Sequence, residues 1–386
     1  VELLSARIGE LPQNQRDVVE VLAFGEPLSV PVLVGLTDEA AVEQVKARGL
    51  VEVYPDGRRW QARLAHPLYG EVQREQLGRL HARRLRGRIA SALAATGGRR
   101  AGDTLRRALL TLESDLPPDP VLLTDAARRA TELGDLALAE RLARAAVSAG
   151  GGFEPRLLLG NALHWSGSDR GAEAEAELAA VAALARTDTE RVQAAIPRMF
   201  NLAWRLGRIA EAEAMVDAVT STLSDDAAAL DLAAGWSVFD GLGGRTGEAA
   251  EAAAGVLAHP RCSPTAAQLA TWTLAIAGGR LGRLEGLSER VRWIDARAEA
   301  FEIGLHQAAV IGSSWVRAML LAGFLNEPDQ ASRRYREQCQ DTSGIGDVVT
   351  SAMRGAVAAC RGQVKTAARW FRQQCHGVKR SGVRSR

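Results

Sequence analysis

Lysine is almost missing from this chain: Lys46, Lys365 and Lys379 are the only three in 386 residues, and none follows a glycine. That excludes a phosphate-binding loop of the GxxxxGK[ST] kind, whose lysine must stand directly after the closing glycine to reach the phosphates. No HExxH, GxSxG or Gly-rich dinucleotide turn occurs either, so the motifs of zinc proteases, serine hydrolases and nicotinamide enzymes are absent. The four cysteines, Cys262, Cys339, Cys360 and Cys375, are far apart and form no CxxC pair. They read as free thiols, which suits a reducing cytoplasm. The six histidines (66, 81, 164, 259, 306 and 376) show no ligand spacing, and His376 beside Cys375 has no further partner nearby. No catalytic residue, cofactor or metal ligand is expected, and the chain reads as a non-enzyme. No apolar run approaches the roughly 20 residues that span a bilayer, and no secretory leader is recognisable.

What the chain does contain favours helix. Ala, Leu, Arg and Glu dominate, while aromatics make up only 5%, and those abundant residues have high helix propensity. The net charge of +2 is too small to imply nucleic acid, but it is unevenly placed. Residues 58–107 hold thirteen arginines against Glu71, Glu75 and Asp103, and residues 361–386 hold eight basic residues and no acid. Such blocks are either solvated helix faces or phosphate-attracting patches.

The first eighty residues change period in an informative way. Residues 14–24 place Val18, Val19, Leu22 and Ala23 on one helical face, and Gly25-Glu26-Pro27 then breaks the helix, since proline lacks an N–H and restricts its predecessor. Residues 28–36 read as a compact apolar helix. Thr37 or Asp38 can cap a third helix over residues 39–48 that ends at Gly49. Leu50-Val51-Glu52-Val53-Tyr54 and Trp60-Gln61-Ala62-Arg63-Leu64 then alternate like two strands around Pro55-Asp56-Gly57. Three helices and a two-stranded wing make a winged-helix plan. Such modules bind DNA through the third helix and wing, but this third helix presents Glu39 and Glu43 where Arg, Asn or Gln would read bases. Arg58 and Arg59 at the wing, with Arg83 and Arg84 in the basic stretch after it, are the candidate nucleic-acid contacts. A packing or hinge module with a solvated turn is the alternative. His66, before Pro67, reads as the residue that fixes a strand-to-helix junction.

From residue 133 a short signature recurs: apolar residues, a glycine turn, then a helix rich in small residues. The clearest copy is Trp204-Arg205-Leu206-Gly207-Arg208-Ile209-Ala210-Glu211-Ala212. The turn glycines 134, 167, 207, 244, 282, 323 and 362 are 33, 40, 37, 38, 41 and 39 residues apart. That interval belongs to helix-pair repeats of the tetratricopeptide kind and its looser relatives. Tryptophans 165, 204, 236 and 272 recur at about the same interval and read as a packing position within the repeat, with a ligand cage as the alternative.

The fold class expected is therefore all-α: a winged-helix module with a small β-hairpin, followed by a tetratricopeptide-like α-solenoid. Residues 1–76 form the module, 77–125 Arg-rich connecting helices, 126–373 the repeats, and 374–386 a basic, disordered tail.

The stretches Gly25-Glu26-Pro27-Leu28, Arg48-Gly49-Leu50-Val51 and Arg63-Leu64-Ala65-His66-Pro67-Leu68-Tyr69-Gly70-Glu71-Val72 carry a resemblance to a known family. They are similar to one region of the large ATP-binding LuxR-type transcriptional regulators of actinobacteria. The resemblance implies a nucleotide-binding domain before the winged helix, a tetratricopeptide-like superhelix after it, and a closing helix-turn-helix. This chain lacks the phosphate loop and the helix-turn-helix, so neither ATP hydrolysis nor the family's DNA-reading residues transfer to any position. The expectation is a sensor or interaction segment of a truncated LuxR-type regulator, taking a protein partner or small-molecule effector on its solenoid. The alternatives are a stand-alone DNA-binding regulator using the basic winged-helix region, and a degenerate gene product without activity.

Overall fold

The computed structural model describes residues 10–57, 59–96, 101–166, 170–300, 303–339 and 345–381. The chain divides into two compact units, Val1–Ala126 and Ala127–Arg386.

The first unit opens with α1 (Gln13–Gly25), which buries Val18, Val19, Val21, Leu22 and Ala23. Strand β1 (Leu28–Ser29) leads directly into α2 (Val30–Leu36), and α3 (Glu39–Ala47) follows. Asp38 caps α3 by accepting the Ala41 N–H at 3.0 Å, and Gly49 ends that turn with φ +68°. Strands β2 (Val51–Asp56) and β3 (Arg59–Leu64) form the wing. Their antiparallel register runs from Val51 opposite Leu64 to Asp56 opposite Arg59. The order helix, strand, helix, helix, strand, strand is that of a winged helix.

Two local expectations need correcting. The helix expected to start at Leu28 starts at Val30, because Pro31 has no N–H and is tolerated only in the first turn. Leu28 and Ser29 are extended instead and pair with Ala62 and Gln61. The wing therefore belongs to a three-stranded sheet of order β1-β3-β2 rather than a two-stranded one.

At the next junction His66 is the N-cap of α4 (Pro67–Gln76): its Nδ1 accepts the Leu68 N–H at 3.2 Å, and Pro67 takes the first helical position. The Arg-rich stretch forms α5 (Arg79–Ala95) and α6 (Ala101–Leu112). Leu85, Ile89, Ala90 and Leu93 of α5 and Leu110 of α6 join the same core as α1 and the wing. These helices are thus part of the first unit's interior, not a spacer beyond residue 76.

The division between the units falls inside α7 (Pro120–Glu132), the first helix of the repeats. Then come α8 (Leu136–Ser148), α9 (Phe153–Ser166), α10 (Gly171–Leu184), α11 (Asp188–Phe200), α12 (Ile209–Thr220), α13 (Asp226–Gly243) and α14 (Thr246–Ala258). The rest are α15 (Pro264–Leu281), α16 (Leu287–Glu299), α17 (Leu305–Leu321), α18 (Asn326–Gln338), α19 (Ile345–Cys360) and α20 (Val364–Ser381). Gly134, Gly207, Gly244, Gly282, Gly323 and Gly362 all take positive φ, between +68° and +103°, in the turn within a helix pair. That left-handed conformation is open to glycine without the Cβ clash other residues suffer. Gly167, the remaining member of the series, lies outside the described residues.

From α10 to α18 each second helix packs against the first helix of its own pair and that of the next. The first helices α9, α11, α13, α15, α17 and α19 also touch in succession, so they build one continuous layer. Close crossings inside the pairs depend on small residues. A Cβ on Gly312 would meet the ring of buried Tyr335 at 2.3 Å, and one on Gly355 would meet Phe371 at 2.6 Å. Each pair alone leaves an apolar face open, and stacking closes it, as in solenoids generally.

The tail is a further correction. Disorder is expected from residue 374, but α20 is helical to Ser381. Phe371 anchors the helix on α19 at Gly355, and the Gln, Lys and Arg residues beyond propagate it at low cost once nucleated. None of the described helices is long and apolar enough to cross a membrane.

Candidate ligand-binding site

The first helices of five successive pairs line a half-open cavity of about 340 Å³. Its residues come from α9, α11, α13, the N-terminal turn of α15 with the body of that helix, and α17. Leu157, Val192, Ile196, Leu269, Val310 and Ile311 make the aliphatic wall, and Trp165, Phe200 and Trp272 supply ring faces.

The aromatic groups are held from behind. Trp204 stacks on Phe200 with centroids 4.6 Å apart and meets Trp272 at 5.7 Å. The Trp272 Nε1–H donates to Ser314 Oγ at 3.1 Å, which fixes the indole. Trp165 presents its ring to His306 of α17 at 5.3 Å and 65°. Helices far apart in sequence therefore meet edge to face. The recurring tryptophans are packing residues, as expected, but Trp165 and Trp272 also line the cavity, while Trp236 packs on Phe239 at 5.1 Å.

His164 is buried on the cavity wall. Its Nδ1 lies 3.3 Å from Asn201 Oδ1, and Asn201 Nδ2 donates to the Gly171 carbonyl at 2.9 Å. A π-helical turn, Asn201–Arg205, continues α11 and carries this asparagine. Burial, with the nearby Arg205 charge, pushes the His164 pKa down to about 3, so the ring is neutral at ordinary pH. Burial alone takes His306 to about 4, and its buried Nδ1 has no hydrogen-bond partner among the described residues.

The carboxylate of Asp231 accepts from Ser263 Oγ and from the Ala266 N–H at 3.1 Å. It thereby closes the start of α15, and burial raises its pKa. The carboxamides of Asn161, Gln193, Gln268 and Gln307 also line the cavity, and they make no side-chain hydrogen bond among the described residues. Sequence reading found the tryptophans but not these amides or His164, because nothing local marks which faces converge after several repeats.

The expected nucleic-acid contacts stand in the first unit. Arg58 lies outside the described residues. Arg59 is exposed on β3 and borders an open depression of about 1020 Å³ that also includes Trp60, 57% exposed, with Ala92, Ala95 and Thr96 of the helix α5 and its end. Arg83 donates through Nε and Nη2 to the Ser114 carbonyl at 3.2 and 2.9 Å. Arg84 is exposed on α5. Eight residues separate Arg84 from Ala92, about 12 Å along the helix, so Arg84 does not border this depression.

Most other arginines of this block bind the first unit to itself. Arg74 donates to the Ala23 carbonyl at 2.6 Å, Arg88 to the Leu36 carbonyl at 2.8 Å, and Arg106 to the Pro27 carbonyl. Arg63 pairs with Glu52 at 2.8 Å and Arg86 with Glu113 at 3.3 Å, with Arg86 also 4.5 Å over the Phe24 ring. On the exposed side of α3, Lys46 pairs with Glu43 at 3.4 Å. Among the described residues no group of three or more His, Cys, Asp or Glu is placed to hold a metal ion, and the four cysteines are free.

No family model matches the chain, and no curated protein matches it. Among solved structures it is similar to a signal-transduction ATPase with numerous domains, carrying a tetratricopeptide-repeat sensor, from Pyrococcus horikoshii, at 11% identity and a TM-score of 0.44. The match covers 98% of this chain and 65% of that one, so the chain spans just under two thirds of that protein's length.

Proposed function

We propose that this chain is a sensor segment without catalysis, whose helical repeats take a small-molecule effector in the layer of first helices. The observation that supports it is a half-open, aromatic-lined cavity with four carboxamides on its wall, the half-buried Asn161 and Gln268 and the exposed Gln193 and Gln307, none held by another side chain among the described residues. Small-molecule sites have this character: mostly apolar walls with a few converging polar groups. The resemblance of residues 25–28, 48–51 and 63–72 supports the finer reading of a LuxR-type regulator, in which effector binding on the repeats is relayed through the winged helix. In that setting the first unit is a rigid transmitter, and its internally bonded arginines suit transmission better than DNA contact.

The test is a thermal melt of the full chain with the low-molecular-weight fraction of a cell extract, beside the variant Val310→Trp. Val310 is half-buried on the cavity wall, and an indole there occupies the space a ligand needs. The reading predicts an extract-induced rise in Tm that the variant loses. No rise, or the same rise in both proteins, contradicts it.

A further inference from the structure

The chemistry of the wall narrows what the cavity takes, on the reading that it is the effector site. Among the described residues no arginine or lysine lines it, and Asp231, the one carboxylate there, already receives the Ser263 hydroxyl and the Ala266 N–H. A carboxylate or phosphate entering this space would lose its hydration with no cation to replace it, which is strongly unfavourable. Carboxamides both donate and accept, so they match the edge of a neutral polar molecule in either sense. Trp165, Phe200 and Trp272 offer flat apolar surface to a ring.

His164 adds a directional element. Asn201 donates through Nδ2 to the Gly171 carbonyl, so its Oδ1 faces the histidine and can only accept. The neutral imidazole must therefore carry its proton on Nδ1. That leaves Nε2 as a lone-pair acceptor, with no donor among the described residues, on a side chain that lines the cavity. A ligand N–H or O–H would complete it. The volume of about 340 Å³ lies at the small end of the range for pockets that hold small molecules.

We propose that the cavity binds an uncharged, flat ring compound bearing amide or hydroxyl groups on its edge, and discriminates against acids and phosphates of the same shape.

The probes are indole-3-acetamide, indole-3-acetate and tryptamine, which share one ring and differ in charge. Each is titrated against the full chain by ligand-observed NMR. The expected result is saturable binding of the amide, with the acid and the amine at least about tenfold weaker from uncompensated desolvation. Gln268→Leu should weaken the amide about tenfold by removing one carboxamide, and Val310→Trp should abolish its binding. Gln193→Leu, at an exposed position, provides a second amide deletion that leaves packing untouched. Equal binding of all three probes overturns the inference, as does amide binding that ignores the variants. Acid or amine binding that Val310→Trp abolishes also overturns it, while leaving the groove as the sensor site. If no probe binds at millimolar concentration the inference fails by itself, and the extract melt decides the sensor reading separately.

Discussion

Both units brace themselves with arginine, in the second through pairs such as Arg170–Glu140 and Arg198–Glu175, but among the sites described only the cavity of the second gathers side chains that nothing else holds. In the first, Arg74, Arg83, Arg88 and Arg106 reach backbone carbonyls of their own unit, and Arg63 and Arg86 find internal carboxylates. A block that reads as a phosphate-seeking patch is largely internal bracing. In the second, the cavity holds carboxamides without partners and a histidine with a bare acceptor. Arginine density in the first unit thus marks internal bracing as well as surface charge.

The largest effect should come from acid. His164 and His306 have folded pKa values near 3 and 4, below the ordinary value of about 6.5 in an unfolded chain. The unfolded state therefore binds their protons first, and stability is lost as pH falls from 6.5 towards those values. Between pH 7 and 5 the pair should lose roughly 4 kcal/mol, about half from each. His164 is faced by Asn201, Trp165 and the Arg205 charge, and His306 by Trp165, so no carboxylate offsets the protonation. Urea unfolding followed through the tryptophans measures this, and His306→Leu should remove about half the slope.

Glycine substitution should separate the units next. Gly312→Ala drives a methyl into the Tyr335 ring and should cost about 3 kcal/mol. Gly35→Ala on α2 meets nothing within 4 Å and should stabilise by about 0.5 kcal/mol, because it restricts the unfolded chain. Calorimetry of the two variants gives both signs.

Smaller again is the arginine contrast inside the first unit. Arg74→Ala leaves the Ala23 carbonyl without its charged donor and should cost about 1.5 kcal/mol, whereas Arg84→Ala should stay within about 0.5 kcal/mol. The smallest expected signal is DNA binding. Fluorescence anisotropy with random duplexes at low salt should show no association, and affinity that falls steeply with salt would restore the phosphate-binding reading of the arginines.

How much of this was legible in the sequence follows from the range of each signal. The turn glycines marked every described helix-pair turn, because positive φ is a local demand that glycine answers. His66 and Asp38 were recognisable as caps for the same reason. Strand β1 was not, since two extended residues leave no periodicity and only the partner strand makes them a strand. The fate of the arginines was hidden too: a side chain that reaches a carbonyl dozens of residues away looks identical in sequence to a solvated one. The cavity was the least legible feature. Asn161, Gln193, Gln268 and Gln307 are ordinary helix residues in four different pairs, and only the small rotation from each repeat to the next aims them at one space.

The most direct test of the central claim, that the repeats rather than the winged helix hold the ligand, is hydrogen exchange on the full chain with and without the active fraction of the extract. The account predicts added protection in α9, α11, α15 and α17, with the wing strands β2 and β3 unchanged by direct contact. Protection that gathers on the wing and α3, with none on those four helices, would contradict it.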